Sequence, residues 1–256
     1  MKYFVDTVDK RNQVLKELLI KNGYLAYDFD FLKVQEIKRG DMVVFSPAKK
    51  FTKEEIENLP KGIIVVCGNL SEEYLKILEK KKIKIKNLMQ DEIFTVKNAN
   101  LTAEGVLAII LEKTDVSIFD SSVLILGGGR IAKSMASILK GLGVNFAIVS
   151  YNPIKFPSYY LLSNKCYYRN GFLRDIDKFN VIVNTIPARI IGDEVIEKIN
   201  PKTVFIETAS VKCLDDTKKL GFEYLFSPAL PQKYSAFSAG KLVYESIMGE
   251  NDYDKN

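Results

Sequence analysis

The chain has 256 residues, 47% hydrophobic and 27% charged, a balance that excludes wholesale disorder and lets a core form without disulfide staples. It contains no histidine, which removes Ser-His-Asp and Cys-His nucleophiles, HExxH zinc sites and imidazole acid–base chemistry. The formal net charge of +5 is too small an excess to indicate nucleic acid unless it is concentrated at one place.

Residues 3–5 read as a strand, and the charge at Asp6 so soon afterwards argues against a signal peptide. Residues 12–22 read as a helix with Val14, Leu15, Leu18 and Leu19 on one face, stopped by Gly23. Strands follow at 24–29 and 42–45, the latter ending at Ser46-Pro47. Thr52-Lys53-Glu54-Glu55 has the form of a capping box, opening a short helix that Pro60 ends. A fourth strand at 63–67 closes on Cys67, a small core residue, and Ser71 caps a helix over 72–82. Lys80, Lys81, Lys82, Lys84 and Lys86 form the densest charge run. Its second part alternates with Ile83 and Ile85, as in a strand with one wet face. With no aromatic or arginine interleaved, the run reads as a solvated face and not as a nucleic-acid patch.

A helix over 102–112, with Val106, Ile109 and Ile110 on one side, bridges to a second alternation. This comprises a strand at 123–126, a helix at 131–139, and strands at 145–149, 181–183, 204–206 and 224–226. A last helix at 239–248 precedes a polar tail over 250–256, expected to fray. The pattern implies an α/β fold of two domains. Residues 1–115 form a flavodoxin-like or Rossmann-like parallel sheet for substrate or partner, ending in the bridging helix. Residues 116–256 form a doubly wound Rossmann dinucleotide domain, whose last helix could also pack back on the first. Cys67, Cys166 and Cys213 are scattered, without CxxC, which suits a reducing cytoplasm. No metal site is expected, and no apolar run approaches the ~18 residues that a membrane span needs.

The sharpest motif is Gly127-Gly128-Gly129-Arg130-Ile131-Ala132, which fits G-x-G-x-x-A between a strand and a helix. Gly127 permits the tight turn, Gly129 the approach of a pyrophosphate, and Ala132 close helix–strand packing. The N–H groups at the helix start, around Arg130 and Ile131, receive the anion. An NAD site wants an acid about 20 positions on. The next strand instead ends Val149-Ser150-Tyr151-Asn152 with Lys155 beyond, and no carboxylate falls between Gly127 and Asp175. Ser150, Asn152 and Lys155 suit a 2′-phosphate, so NADP is expected; the same residues also read as ordinary loop polars. Two more strand ends, Asn184-Thr185-Ile186-Pro187 and Glu207-Thr208-Ala209-Ser210, carry polar groups toward the crevice where ligands bind, or serve as turns and caps.

Thr102-Ala103-Glu104-Gly105, Gly127-Gly128-Gly129-Arg130, Asn184-Thr185-Ile186-Pro187, Ser227-Pro228-Ala229-Leu230-Pro231 and Ser238-Ala239-Gly240, in this order and spacing, resemble the A-type subunit of dipicolinate synthase from spore-forming bacteria. The resemblance covers residues from about 100 to 249. In the first domain it rests on Asp6, Arg11 and Ser46-Pro47, and the loop Gln232-Lys233-Tyr234-Ser235-Ala236-Phe237 departs from the family version. The resemblance implies NADP-linked oxidation of 4-hydroxy-tetrahydrodipicolinate, or its dehydrated form, to dipicolinate. The setting would be the cytoplasm of a sporulating mother cell, with the flavoprotein-like B-type subunit of dipicolinate synthase as partner. Self-association is left open. A dicarboxylate substrate needs cations and donors, for which Arg11, Ser46, Thr102 and Lys233 are candidates. Glu104 or Glu207 would be the base if burial raised its pKa. Glu104 also reads as a capping carboxylate, Arg11 and Lys233 as surface charges, and Glu207 as a residue closing the sheet. A shikimate-type dehydrogenase and a non-catalytic dinucleotide-binding subunit are the competing readings.

Overall fold

The computed structural model describes residues 1–163, 165–215 and 219–249; the tail expected to fray lies outside them. Two compact units emerge, one of Met1–Asn98 with the described part of Pro231–Asn256, the other of Ala99–Leu230.

The first unit is built on five short strands: β1 (Tyr3–Val5), β2 (Ala26–Asp28), β3 (Met42–Val44), β4 (Ile64–Cys67) and β5 (Lys84–Asn87). All pair in parallel, in the order β2-β1-β3-β4-β5, which is the flavodoxin-like arrangement. Helices α1 (Lys10–Lys21), α2 (Lys53–Asn58) and α3 (Glu72–Lys80) are crossovers, as parallel pairing demands. Their starts are set by side chains competing for the first N–H groups. Asp9 accepts from Arg11 N at 3.0 Å, Ser71 from Tyr74 N at 3.3 Å, and Thr52 with Glu55 forms the reciprocal capping box. Val43, Phe45, Ile56, Leu59, Val65 and Leu78 fill one core layer.

The long helix α4 (Glu92–Lys113) corrects the sequence reading, which starts it at 102. Asp91 is its N-terminal cap, accepting from Phe94 N at 3.0 Å. The first ten residues are obscured in the sequence because Ile93, Thr95, Val96, Asn98 and Asn100 are weak helix formers; burial of Phe94 and Ala99 holds them helical. The boundary between the units falls inside this helix, where the sequence reading puts it after residue 115.

The second unit carries β6 (Ser122–Leu126), α5 (Arg130–Gly141), β7 (Asn145–Ser150), β8 (Cys166–Tyr168), β9 (Val181–Asn184), α6 (Asp193–Ile196), β10 (Val204–Glu207) and β11 (Glu223–Phe226). The six strands are parallel in the order β11-β10-β9-β6-β7-β8, the doubly wound Rossmann arrangement. Its central strands are apolar on both faces, as a sheet covered on both sides requires.

A short helix α7 (Leu230–Tyr234) leads into α8 (Ala236–Met248), which belongs with the first unit and lies against α1. The approach is close at Gly240: a Cβ there would sit 2.5 Å from the Arg11 carbonyl oxygen and 2.7 Å from Val14 Cβ. No helix among the described residues is long and apolar enough to cross a membrane.

Candidate functional site

In the second unit the strand order reverses between β6 and β9, so the carboxyl ends of these two strands flank the crevice. Gly127 leaves β6 with φ +119°, a backbone that L side chains avoid. A Cβ there would also lie 2.2 Å from Thr185 Oγ1. The two strand ends are tied: Thr185 N and Oγ1 each donate to Leu126 O at 2.9 Å, and Gly127 N donates to Val149 O at 3.0 Å. At Gly128 the neighbour is Tyr159, buried, whose hydroxyl donates to Gly128 O at 2.7 Å.

Gly129 differs from both. It is the N-terminal cap of α5, with no side-chain cap bond, and nothing lies within 4 Å of the position its Cβ would take. The first N–H groups of α5, from Arg130 and Ile131 onward, form the positive end of the helix dipole, with room beside Gly129. Ala132, buried, lets α5 seat against the sheet. Together these make a cradle for an anionic group on backbone donors.

At the end of β7 the polar residues are occupied in the turn. Buried Ser150 accepts from Asn152 N at 3.3 Å, and Asn152 Oδ1 accepts from Ile154 N and Lys155 N at 3.0 Å each. Tyr151 is half-buried against the core, so Lys155 is the exposed cation of this segment.

The ends of β9 and β10 are locked together by Glu207, which has no solvent exposure. Its Oε1 accepts from Asn184 Nδ2 at 2.8 Å and Ala209 N at 3.1 Å, and its Oε2 from Cys213 N at 2.9 Å. Asn184 Nδ2 also donates to Ile186 O at 2.9 Å, and its Oδ1 accepts from Ile186 N at 3.1 Å, which shapes the Thr185-Ile186-Pro187 turn. Burial and the adjoining Glu207 push the Cys213 thiol well above its ordinary range, so it stays protonated and inert.

The first unit holds its own constellation at the equivalent reversal, between β1 and β3. Arg11 is buried and grips Asp9 through Nε (2.9 Å to Oδ1) and Nη2 (2.6 Å to Oδ2). Nη2 also donates to Ser46 Oγ at 3.1 Å, and Ser46 Oγ donates to Asp9 Oδ2 at 2.6 Å. Burial alone would raise the Asp9 carboxyl; the hydrogen bonds and charge of Arg11, with the Ser46 hydroxyl, outweigh it and hold it below the usual range. Arg11 and Ser46 thus come together as two parts of one network. Sequence reasoning misses Asp9, its centre, although an Asp just ahead of a helix is a capping signal.

The remaining candidates lie on two helices. Thr102, buried, and Glu104, exposed, lie in the middle of α4. Neither opens a helix, so the capping role read for Glu104 is excluded. Lys233, in α7, is exposed, with its ammonium 4.7 Å from the ring centre of Tyr234. Tyr159 has no local signal, since its partner is 31 residues away.

No family model matches the chain. The A-type subunit of dipicolinate synthase from Bacillus subtilis (strain 168) is 25% identical over 205 residues, which are 78% of this chain and 69% of that protein. The chain resembles that A-type subunit. The crystal structure of dipicolinate synthase, A chain, from Bacillus subtilis aligns with TM-score 0.80 at 20% identity, covering 100% of this chain and 98% of that one. The A-type subunit from Bacillus halodurans gives 0.82 at 19%, with 97% of each chain covered. A D-lactate dehydrogenase of Salmonella gives 0.67 at 10%, covering 100% and 98%. At these identities the structures share the fold, two parallel-sheet α/β units. The likeness read from the scattered motifs is therefore borne out over most of the chain.

Proposed function

We propose that this chain is an NADP-linked oxidoreductase of the kind formed by the A-type subunit of dipicolinate synthase, acting on 4-hydroxy-tetrahydrodipicolinate or its dehydrated form. The observation that carries the reading is the uncapped start of α5 at Gly129, open to a pyrophosphate at the reversal point of a Rossmann sheet. The similarity to the Bacillus subtilis protein supports the choice of reaction. A nicotinamide dinucleotide held there supplies a hydride acceptor, and aromatisation of the substrate ring favours the oxidation without a metal.

The protein's own share is positioning. Gly127 and Thr185 fix the floor of the cradle, and the Asn184–Glu207 pair fixes the turn beside it. Lys155, with no carboxylate nearby in sequence, favours a 2′-phosphate and hence NADP over NAD. Arg11, pre-oriented by Asp9, offers a guanidinium edge suited to a substrate carboxylate at the carboxyl end of the first sheet, with Ser46 beside it. Of the two carboxylates considered as base, Glu104 is exposed and does not meet the burial condition, and enclosed Glu207 acts by holding its neighbours, so neither is assigned as the proton acceptor. Partnership with a flavoprotein-like B-type subunit, in the cytoplasm of a sporulating cell, belongs to the same proposal.

The test is dipicolinate absorbance from the condensation product of pyruvate and aspartate semialdehyde, with NADP, with and without the flavoprotein partner. Product forming only when this chain is present supports an enzyme. The same rate without it would leave the chain a non-catalytic subunit.

A further inference from the structure

We propose that the first unit carries a second anion site, a cationic recess at the amino-terminal edge of β3, β4 and β5 that takes a compact polyvalent oxyanion. The recess measures about 500 Å³, the size of a small-molecule site. Arg39, Lys61, Lys80, Lys81, Lys82 and Lys84 line it, with no acidic residue among the lining. Six cations at one place exceed the net charge of +5 carried by the whole chain, so the concentration that the composition left open is realised here. It lies at the strand ends opposite those that carry the dinucleotide and Arg11 clusters in their respective sheets.

Among the described residues none of the six forms an ion pair with a carboxylate. Asp41, beside Arg39 and Gly40 in sequence, is spent on the backbone, accepting from Lys2 N at 2.8 Å and Lys38 N at 2.9 Å. Lys81 is held by backbone oxygens, donating to Glu57 O and, at 2.6 Å, to Leu59 O. Burial and then the neighbouring charge of Lys61 lower its pKa, against a smaller upward pull from Glu57.

Lys82 adds strain to repulsion. It closes α3 in a left-handed turn, with φ +56°, Lys82 N donating to Glu79 O at 2.8 Å and Ile83 N to Leu78 O at 3.0 Å. That turn ordinarily takes glycine, so a lysine there gives up stability while adding a sixth charge to the rim. Lys86 does not share the recess; its ammonium donates to Ser246 O. The lining has no aromatic side chain to stack a base, which favours a small phosphate- or carboxylate-bearing ion over single-stranded nucleic acid.

The experiment is calorimetric titration of the full chain with tripolyphosphate, citrate and a 20-nucleotide single strand, at low and at 0.5 M salt. Because tripolyphosphate can also enter the dinucleotide cradle, each titration is repeated in Gly129→Asp. Binding of either small anion that persists in Gly129→Asp, weakens with salt, and falls about fivefold for each charge lost in Lys82→Gly and Arg39→Gln, is the expected result. Tripolyphosphate above citrate would mark condensed phosphate as the ligand class, and the reverse a polycarboxylate. Lys82→Gly should also melt higher than the parent, which shows that weaker binding is not misfolding. Binding lost in Gly129→Asp, unchanged in Lys82→Gly and Arg39→Gln, or seen only with the oligonucleotide, overturns the proposal.

Discussion

Removal of Glu207 gives the sharpest check on how the second unit holds its site. The side chain is fully buried; its oxygens accept from Asn184 Nδ2, Ala209 N and Cys213 N, and the Cys213 thiol is a further partner. Glu207→Ala leaves the two backbone donors without acceptors in a dry environment and halves the bonding of the Asn184 amide, which keeps Ile186 O. At about 1–3 kcal/mol for each orphaned donor, less for Asn184, the expected loss is about 3–5 kcal/mol. Glu207→Gln is milder. Its carbonyl oxygen serves Asn184 and Ala209, but its NH₂ faces the Cys213 N–H, for a loss of about 2 kcal/mol. Urea denaturation followed by circular dichroism, with the midpoint shift converted at constant slope, reads both. A loss below about 1 kcal/mol for the alanine variant would refute the network account. If Glu207→Gln instead unfolds like the parent but loses turnover, Glu207 is the base and not a strut.

Other predictions follow from the same geometry. Arg11→Met strands the Asp9 carboxylate in a buried site and should cost about 3–4 kcal/mol at pH 7. Because Asp9's folded pKa is lowered, the parent keeps this stabilisation above the ordinary carboxyl value of about 3.9 and loses it as pH falls through the lower folded value. Acid titration of the two proteins should therefore bring their stabilities together. Gly240→Val drives a side chain into the Arg11 carbonyl and Val14, and thermal melts should show a loss of about 2–3 kcal/mol. Lys155→Asp should weaken NADP binding about tenfold and leave NAD nearly unchanged; equal loss for both would remove Lys155 from 2′-phosphate recognition.

Much of this architecture is legible in one sequence because parallel strands buried on both faces are short, apolar and bounded by turns. Residues 123–126, 181–183 and 204–206 announce β6, β9 and β10, and Thr52 with Glu55 announces α2. The glycine turn is legible for a different reason: Gly127 adopts a backbone that side chains avoid, so its chemistry is local. What stays hidden depends on distance. Asp9 meets Ser46 across 37 positions, Tyr159 meets Gly128 across 31, and Glu207 meets Asn184 across 23. No local pattern reports such partners. Strand β8 escapes notice because Cys166–Tyr168 is an edge strand with one buried residue and no run of Val or Ile. The lysine run reads as a wet strand face because Arg39 and Lys61, which complete the recess, arrive from other loops.

The central claim is that the open start of α5 grips a pyrophosphate, and fluorescence titration with NADP of the parent and of Gly129→Asp tests it most directly. The aspartate has room in the fold, since nothing lies within 4 Å of that Cβ position, but it puts a negative charge on the anion's ground. Saturable binding by the parent, with none by a Gly129→Asp protein that melts at the same temperature, is the predicted result. Equal binding by both proteins would contradict the account.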